Sequence, residues 1–387
     1  MKLVVWHNLL WSRYKAGVFT QLNVLAKSRG VDVFVHQIAE TAADRAVLSP
    51  VDRNLHDYPH DLIFKGNYSA IPRGDLYRAL VSRAWSSDAD LTILAGFERP
   101  EFWLQALTLK LRGKKYAVFC DSTLNDNPQS WLKSAAKRLF FGLSSGVFCY
   151  GERSTEYLRY HGVPDRKILI RRQAAALPRG YSKAEVIARR PATMASPDAP
   201  RFVYVGRLSE EKSLDTLLRA FALVRQTLPG AELAIVGKGP QEAELRALAQ
   251  SLGLDASVIF VGSKADDDLN LEYLRATAMV LPSRSEPWGL VVNEALSFGC
   301  PVIVSDRCGC VPELVIDGVT GYAFPWGQVD ALAARMLEAP SAFSDADAVT
   351  RRCLEHMAGF TPAVAARGIL DGVASITGNA DPTPVRA

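Results

Sequence analysis

Residues 279–296 read Met279-Val280-Leu281-Pro282-Ser283-Arg284-Ser285-Glu286-Pro287-Trp288-Gly289-Leu290-Val291-Val292-Asn293-Glu294-Ala295-Leu296. The apolar run Met279–Leu281 breaks at Pro282, passes through a polar stretch and resumes after Gly289 with helical spacing. A second apolar run, Pro301–Ser305, follows soon afterwards. Strand, loop, helix and strand in that order form a crossover unit of a parallel sheet. Moving outward, the same alternation covers most of the chain. Runs at Phe202–Val205, Glu232–Val236 and Val258–Val261 complete the second half, and runs at Lys2–Trp6, Val31–Gln37, Leu91–Leu94, Lys115–Cys120 and Gly146–Tyr150 make up the first. The pattern predicts an α/β chain of two doubly wound domains.

The stretch Ala188–Pro200 holds three prolines and no periodicity, and is expected to be a linker. Domains are expected at 1–187 and 201–360, with 188–200 between them. A helix over 361–376 is expected to pack back on the first domain, and 377–387 to form a disordered tail.

A length of 387 residues suits two domains of roughly 150–200 residues each, and 48% hydrophobic with 22% charged residues excludes a disordered or fibrous chain. The net charge of +4 is a cancellation. Residues 1–195 hold 29 Lys and Arg against 17 Asp and Glu, whereas residues 196–387 hold 16 against 24. Within the first half, 131–190 is the most one-sided stretch, with 13 against 4, including Lys133, Lys137, Arg138, Arg171, Arg172, Arg189 and Arg190. Such a segment is expected to meet an anionic partner. Six cysteines without C-x-x-C spacing favour a reducing compartment over a disulfide or zinc framework. The apolar run at Lys2–Trp6 is too short for a signal peptide, so the expected location is cytoplasmic, on the inner face of the membrane if any membrane is touched.

In parallel sheets, ligands bind beyond the carboxyl ends of the strands. After Phe202–Val205 come Gly206, Arg207 and Lys212, two cations in a strand-to-helix loop. They suit a diphosphate; as an isolated pair they equally suit a solvated surface. In the opening stretch, Glu286 precedes a helix whose early N–H groups at Gly289, Leu290 and Val291 lack intrahelical acceptors, and Glu294 lies inside it. Carboxylate, anion cradle and carboxylate match sugar hydroxyls, diphosphate and ribose. The competing reading makes Glu286 a cap partner and Glu294 a solvated helix residue.

These residues resemble the retaining GT-B glycosyltransferases of the large two-glutamate-motif family. Glu286 and Glu294 stand at the family's spacing before Gly299-Cys300-Pro301-Val302-Ile303, and Gly206-Arg207-Leu208 with Lys212 is similar to its phosphate loop. Val311-Pro312-Glu313-Leu314 and Gly318 to Gly321 continue the likeness, which spans most of 201–325 and fades across 1–190. The resemblance implies a GT-B fold, two Rossmann-like domains facing across a cleft, and hexose transfer with retained anomeric configuration. The donor is a nucleotide-diphosphate sugar, UDP- or GDP-linked, and the acceptor a polysaccharide, oligosaccharide or lipid-linked glycan of the cell envelope. It further implies that Arg207 and Lys212 hold the diphosphate, Glu286 the sugar and Glu294 the ribose, with backbone at Gly289, Leu290 and Val291 cradling phosphate. Gly237 and Gly262 border the base in this reading, and are turn glycines in the plainer one. No metal or other cofactor is implied; Asp266-Asp267-Asp268 is read as a solvated helix-capping cluster rather than a metal motif.

In the first half the family's glycine-rich loop corresponds to Ala16-Gly17-Val18-Phe19, so Gly17 is a candidate donor residue. Asp121 stands where the family has a histidine, as general base, hydroxyl acceptor or cap. Residues 131–141 mix Trp131, Leu132 and Leu139 with Lys133, Lys137 and Arg138, fitting either an interfacial helix on anionic lipid or an ordinary packed helix. Three rivals remain: a nucleotide-sugar epimerase on the same fold, a non-catalytic nucleotide-sugar-binding protein, and a nucleic-acid module, the last disfavoured because it lacks recognition motifs. A dinucleotide-dependent oxidoreductase fails at Gly237-Lys238-Gly239, where Glu242 occupies the third glycine position.

Overall fold

The computed structural model describes residues 1–43, 51–126 and 130–378. The expected tail lies outside them beyond Gly378. The chain divides into two compact units, Met1–Ala176 with Thr361–Ala387, and Leu177–Phe360.

The first unit is built on seven parallel strands: β1 (Lys2–Leu9), β2 (Asp32–Thr41), β3 (His60–Asn67), β4 (Leu91–Leu94), β5 (Lys115–Phe119), β6 (Gly146–Cys149) and β7 (Ile168–Ile170). Their order is β3-β2-β1-β4-β5-β6-β7, so the chain reverses direction across the sheet between β1 and β4. Helices α1 (Arg13–Ser28), α2 (Arg73–Ser86), α3 (Pro100–Leu111), α4 (Trp131–Leu143) and α5 (Glu152–Tyr160) connect them. Central strands are buried throughout, as a sheet covered on both faces requires. One face packs Leu80, Phe102, Leu109, Phe140 and Phe141, and the other Val18, Phe19, Leu22, Ile369 and Leu370.

The second unit holds α6 (Lys183–Thr193), β8 (Arg201–Val205), α7 (Leu214–Thr227), β9 (Glu232–Val236), α8 (Glu242–Ser251), β10 (Val258–Gly262), α9 (Asp266–Arg275) and β11 (Ala278–Leu281). After these come α10 (Leu290–Ser297), β12 (Val302–Ser305), α11 (Val311–Leu314), β13 (Gly321–Phe324), α12 (Val329–Ala342) and α13 (Ala346–Met357). Its six strands run β10-β9-β8-β11-β12-β13, with the reversal between β8 and β11. The last helix, α14 (Pro362–Thr377), returns to the first unit, where it buries Ala365, Ile369, Leu370 and Val373.

Two expectations differ from what is seen. The division falls after Ala176 rather than at 187, and the expected linker begins inside a helix, because α6 runs to Thr193 with Pro191 in its last turn. Arg190 explains why that helix is held. Its buried guanidinium donates to the carbonyls of Tyr273 (2.7 Å), Leu274 (3.2 Å) and Ala276 (2.9 Å), which satisfies carbonyls left open where α9 ends.

Candidate functional site

The reversal point of the second sheet is where its loops open. β8 and β11 are direct neighbours, pairing Phe202 with Ala278 and Val203 with Met279, so the loops that follow them emerge side by side. Gly206 to Lys212 leaves β8, and Pro282 to Gly289 leaves β11. The Arg284 N–H donates to Glu211 O at 2.8 Å and joins the two loops.

Sequence-distant residues meet here. Lys212 Nζ forms an ion pair with Glu286 Oε2, with the two side chains 12% and 20% exposed. Attraction in so sheltered a site exceeds that at an open surface, and removing either partner leaves the other charge stranded. Arg207 pairs with Glu211 at 3.2 Å, and Ser209 Oγ donates to the same carboxylate at 2.7 Å. Burial raises the Glu211 pKa, but the Ser209 hydrogen bond and nearby cations outweigh it and hold the carboxyl below its usual value.

Gly289 caps α10 with φ of +100°, a conformation natural only to glycine. Leu290 and Val291 open the helix, so their N–H groups have no carbonyl one turn back to bond. The following loop secures this turn: Gly309 N–H donates to Glu286 O at 2.8 Å and Cys310 N–H to Trp288 O at 3.0 Å. Trp288 in turn donates from Nε1 to the buried Asn293 at 2.7 Å.

Glu294 accepts from Tyr273 Oη at 3.1 Å, and Tyr273 stacks on Phe298 with centroids 6.0 Å apart. Burial, reinforced by Glu294, keeps the Tyr273 phenol protonated. Gly206, Gly237 and Gly262 end or follow β8, β9 and β10 and are tied by Gly206 N–H to Val236 O (3.0 Å) and Gly237 N–H to Gly262 O (2.8 Å). A Cβ at Gly237 would stand 1.8 Å from Gly206 O, so backbone packing alone demands glycine there. The acidic run 266–268 opens α9 inside the helix, whose N-cap is Ala265. Asp267 and Asp268 thus stand in the first turn, just past the cap position. Asp268 lies 3.5 Å from Lys264, and Asp267 accepts from Asn270 at 3.5 Å.

In the first unit, Asp121 follows β5 and accepts from Tyr150 Oη at 3.1 Å. Gly17 lies inside α1 rather than in a loop ahead of it; the space for a Cβ there is bounded by Pro362 at 3.7 Å. Two members of the basic stretch leave the surface: Arg171 and Arg190 are both buried. Sequence reasoning missed Tyr273, which meets Glu294 from 21 residues away, and the Trp288–Asn293 hydrogen bond, which spans the turn at Gly289. It also missed Lys15, a lone lysine in a helical pattern.

Residues 188–342 match the profile of the glycosyl transferases group 1 family. This region is a member of that family. A sulfoquinovosyl transferase of Arabidopsis thaliana is 36% identical over 137 residues, covering 35% of this chain and 25% of its own. A GDP-mannose-dependent phosphatidylinositol monomannoside mannosyltransferase of Mycolicibacterium smegmatis is 35% identical over 142 residues, covering 35% and 37%. The match thus spans between a quarter and two fifths of those relatives' length. The solved structure of Anabaena Alr3699/HepE in complex with UDP superposes with a TM-score of 0.70 at 17% identity, covering 97% of this chain and all of that one. The architecture of both units is GT-B, and the glycosyl transferases group 1 region contains the loops that follow β8 and β11 together with α10.

Proposed function

We propose that the protein is a retaining glycosyltransferase that takes a hexose-type sugar from a nucleotide-diphosphate donor. The convergence of Lys212, Glu286 and the Gly289 helix start at the reversal point of the second sheet carries this reading. Arg207, Lys212 and the N–H groups of Leu290 and Val291 hold the diphosphate and stabilise charge on it as the glycosyl carbon–oxygen bond breaks. The acceptor hydroxyl oxygen bonds the same face of that carbon, and its proton passes to the departing phosphate. Glu286, oriented by Lys212, meets the sugar hydroxyls, and Glu294, oriented by Tyr273, the ribose. The Anabaena structure holds UDP and the mycobacterial relative uses GDP-mannose, which supports a uridine or guanosine donor.

The acceptor in this reading is an envelope glycan or a lipid-linked chain presented at an anionic surface. α4 supports it: Trp131 is 78% exposed, Leu132, Leu139 and Leu143 are also exposed, and Lys133 and Arg138 lie among them. No helix among the described residues is long and apolar enough to cross a membrane.

A thermal-shift screen of UDP-, GDP- and ADP-sugars tests the donor. A true donor at 100 times its dissociation constant stabilises by about 2.7 kcal/mol, and Glu286→Ala retains the fold while losing turnover. Stabilisation by none of them sinks the reading.

A further inference from the structure

The first unit buries two cations at the carboxyl ends of its strands. Lys15, in the first turn of α1, is 4% exposed, and Arg171, directly after β7, is 1% exposed. Both lie against the same two rings. The Arg171 guanidinium is 4.6 Å from the Phe119 centroid and 4.1 Å from that of Tyr150, and Lys15 Nζ is 4.9 and 5.5 Å from them. Aromatic faces offset part of the lost hydration. They supply at most the Tyr150 hydroxyl as an acceptor, and none of the three guanidinium nitrogens has a well-formed hydrogen bond among the described residues. Lys15 Nζ reaches the Tyr150 hydroxyl at 3.4 Å.

One carboxylate acts on Lys15. Asp121 attracts Lys15, but its described hydrogen bond is to the Tyr150 hydroxyl. Burial, and then the neighbouring Arg171 charge, push the Lys15 pKa well down. The same field reaches His7, whose pKa is held to about 3 by burial and then by Lys15. An arginine buried with its donors unused is strongly unfavourable unless something else accepts from them. β5, β6 and β7 end here, in the position where parallel sheets take ligands.

We propose that Lys15 and Arg171 form an anion-binding subsite of the first unit that takes a phosphate group of a bound ligand. The guanidinium presents a planar fork, and Lys15, its charged form favoured once an anion is bound, adds a point charge, a pairing that suits phosphate oxygens. The subsite does not rest on the nucleotide reading of the second unit. The phosphate belongs to a phosphorylated acceptor.

Calorimetric titration of the full chain with glycerol 3-phosphate and with inorganic phosphate, each with and without saturating UDP, tests this. Saturable phosphate binding that persists under UDP, falls about tenfold or more in Lys15→Met and Arg171→Met, and is unchanged in Arg207→Ala assigns the group to an acceptor. Binding abolished by UDP overturns the proposal, because the phosphate then occupies the nucleotide site of the second unit. Asp121→Asn, which removes the nearby negative charge, is expected to tighten phosphate several-fold, and it decides the matter if the methionine variants do not fold. No saturable phosphate binding by the wild-type chain, or folded variants that bind as it does, overturns the proposal. Phosphate binding by a chain that takes up neither UDP nor GDP leaves the subsite standing and removes the nucleotide reading instead.

Discussion

At the residue scale, the glycines of the second unit divide into two kinds. Gly289 is held by its backbone conformation, with φ of +100°, beside Glu286, whereas Gly237, with φ of +136°, is held as well by the carbonyl of Gly206 standing where a Cβ would lie. Gly237→Ala is therefore expected to destabilise the protein by about 3 kcal/mol or more, because backbone rather than a movable side chain blocks the new methyl. Urea midpoints compare the two proteins, and an unchanged midpoint would show that the β8 and β9 ends yield easily. The cations illustrate what a sequence cannot express. Arg207 and Lys212 are legible because their loop has a recognisable spacing, but the Lys212–Glu286 pair joins residues 74 apart. Arg171 and Arg190 read as surface charge from composition, and only tertiary packing reveals that they are buried.

At the element scale, every strand with a neighbour on each side was legible, and β10 was legible at an edge. β3, β7 and β13, absent from the sequence reading, are all sheet edges. An edge strand has one neighbour, and β3 and β7 are only partly buried, so neither needs a continuous β-branched run. α6 escaped notice because Pro191 in its last turn resembles linker chemistry. The start of α10 is the element on which the donor reading depends. Gly289→Ala imposes about 1–2 kcal/mol of left-handed strain and sets a methyl 3.2 Å from Leu281 Cδ2. The expected result is UDP affinity reduced about tenfold, with near-UV circular dichroism of the second unit preserved. Unaltered affinity in a folded variant removes the helix start from the site.

At the scale of the whole molecule, the charge asymmetry between the halves has a counterpart in buried histidines. His7, His56 and His161 belong to the first unit, and burial in each case is the leading cause that lowers their pKa, to about 3, 4 and 4. Between those values and the unfolded value near 6.5 the unfolded chain binds more protons than the folded one, so stability rises with pH across this window and is lost as pH falls. At about 1.4 kcal/mol per pKa unit, the combined effect is several kcal/mol. The denaturant midpoint of the first unit is expected to drop between pH 7 and pH 5, and His161→Leu to flatten the dependence. A pH-independent midpoint would contradict these burial assignments.

The most direct test of the central claim is calorimetric titration of UDP and GDP into the wild-type chain and into the Arg207→Ala, Lys212→Met double variant. Loss of two charge-assisted contacts is expected to weaken the preferred nucleotide about a hundredfold, with the second unit still folded. Equal affinity in the two proteins, or binding of neither nucleotide by the wild type, would contradict a diphosphate site at the β8 and β11 loops.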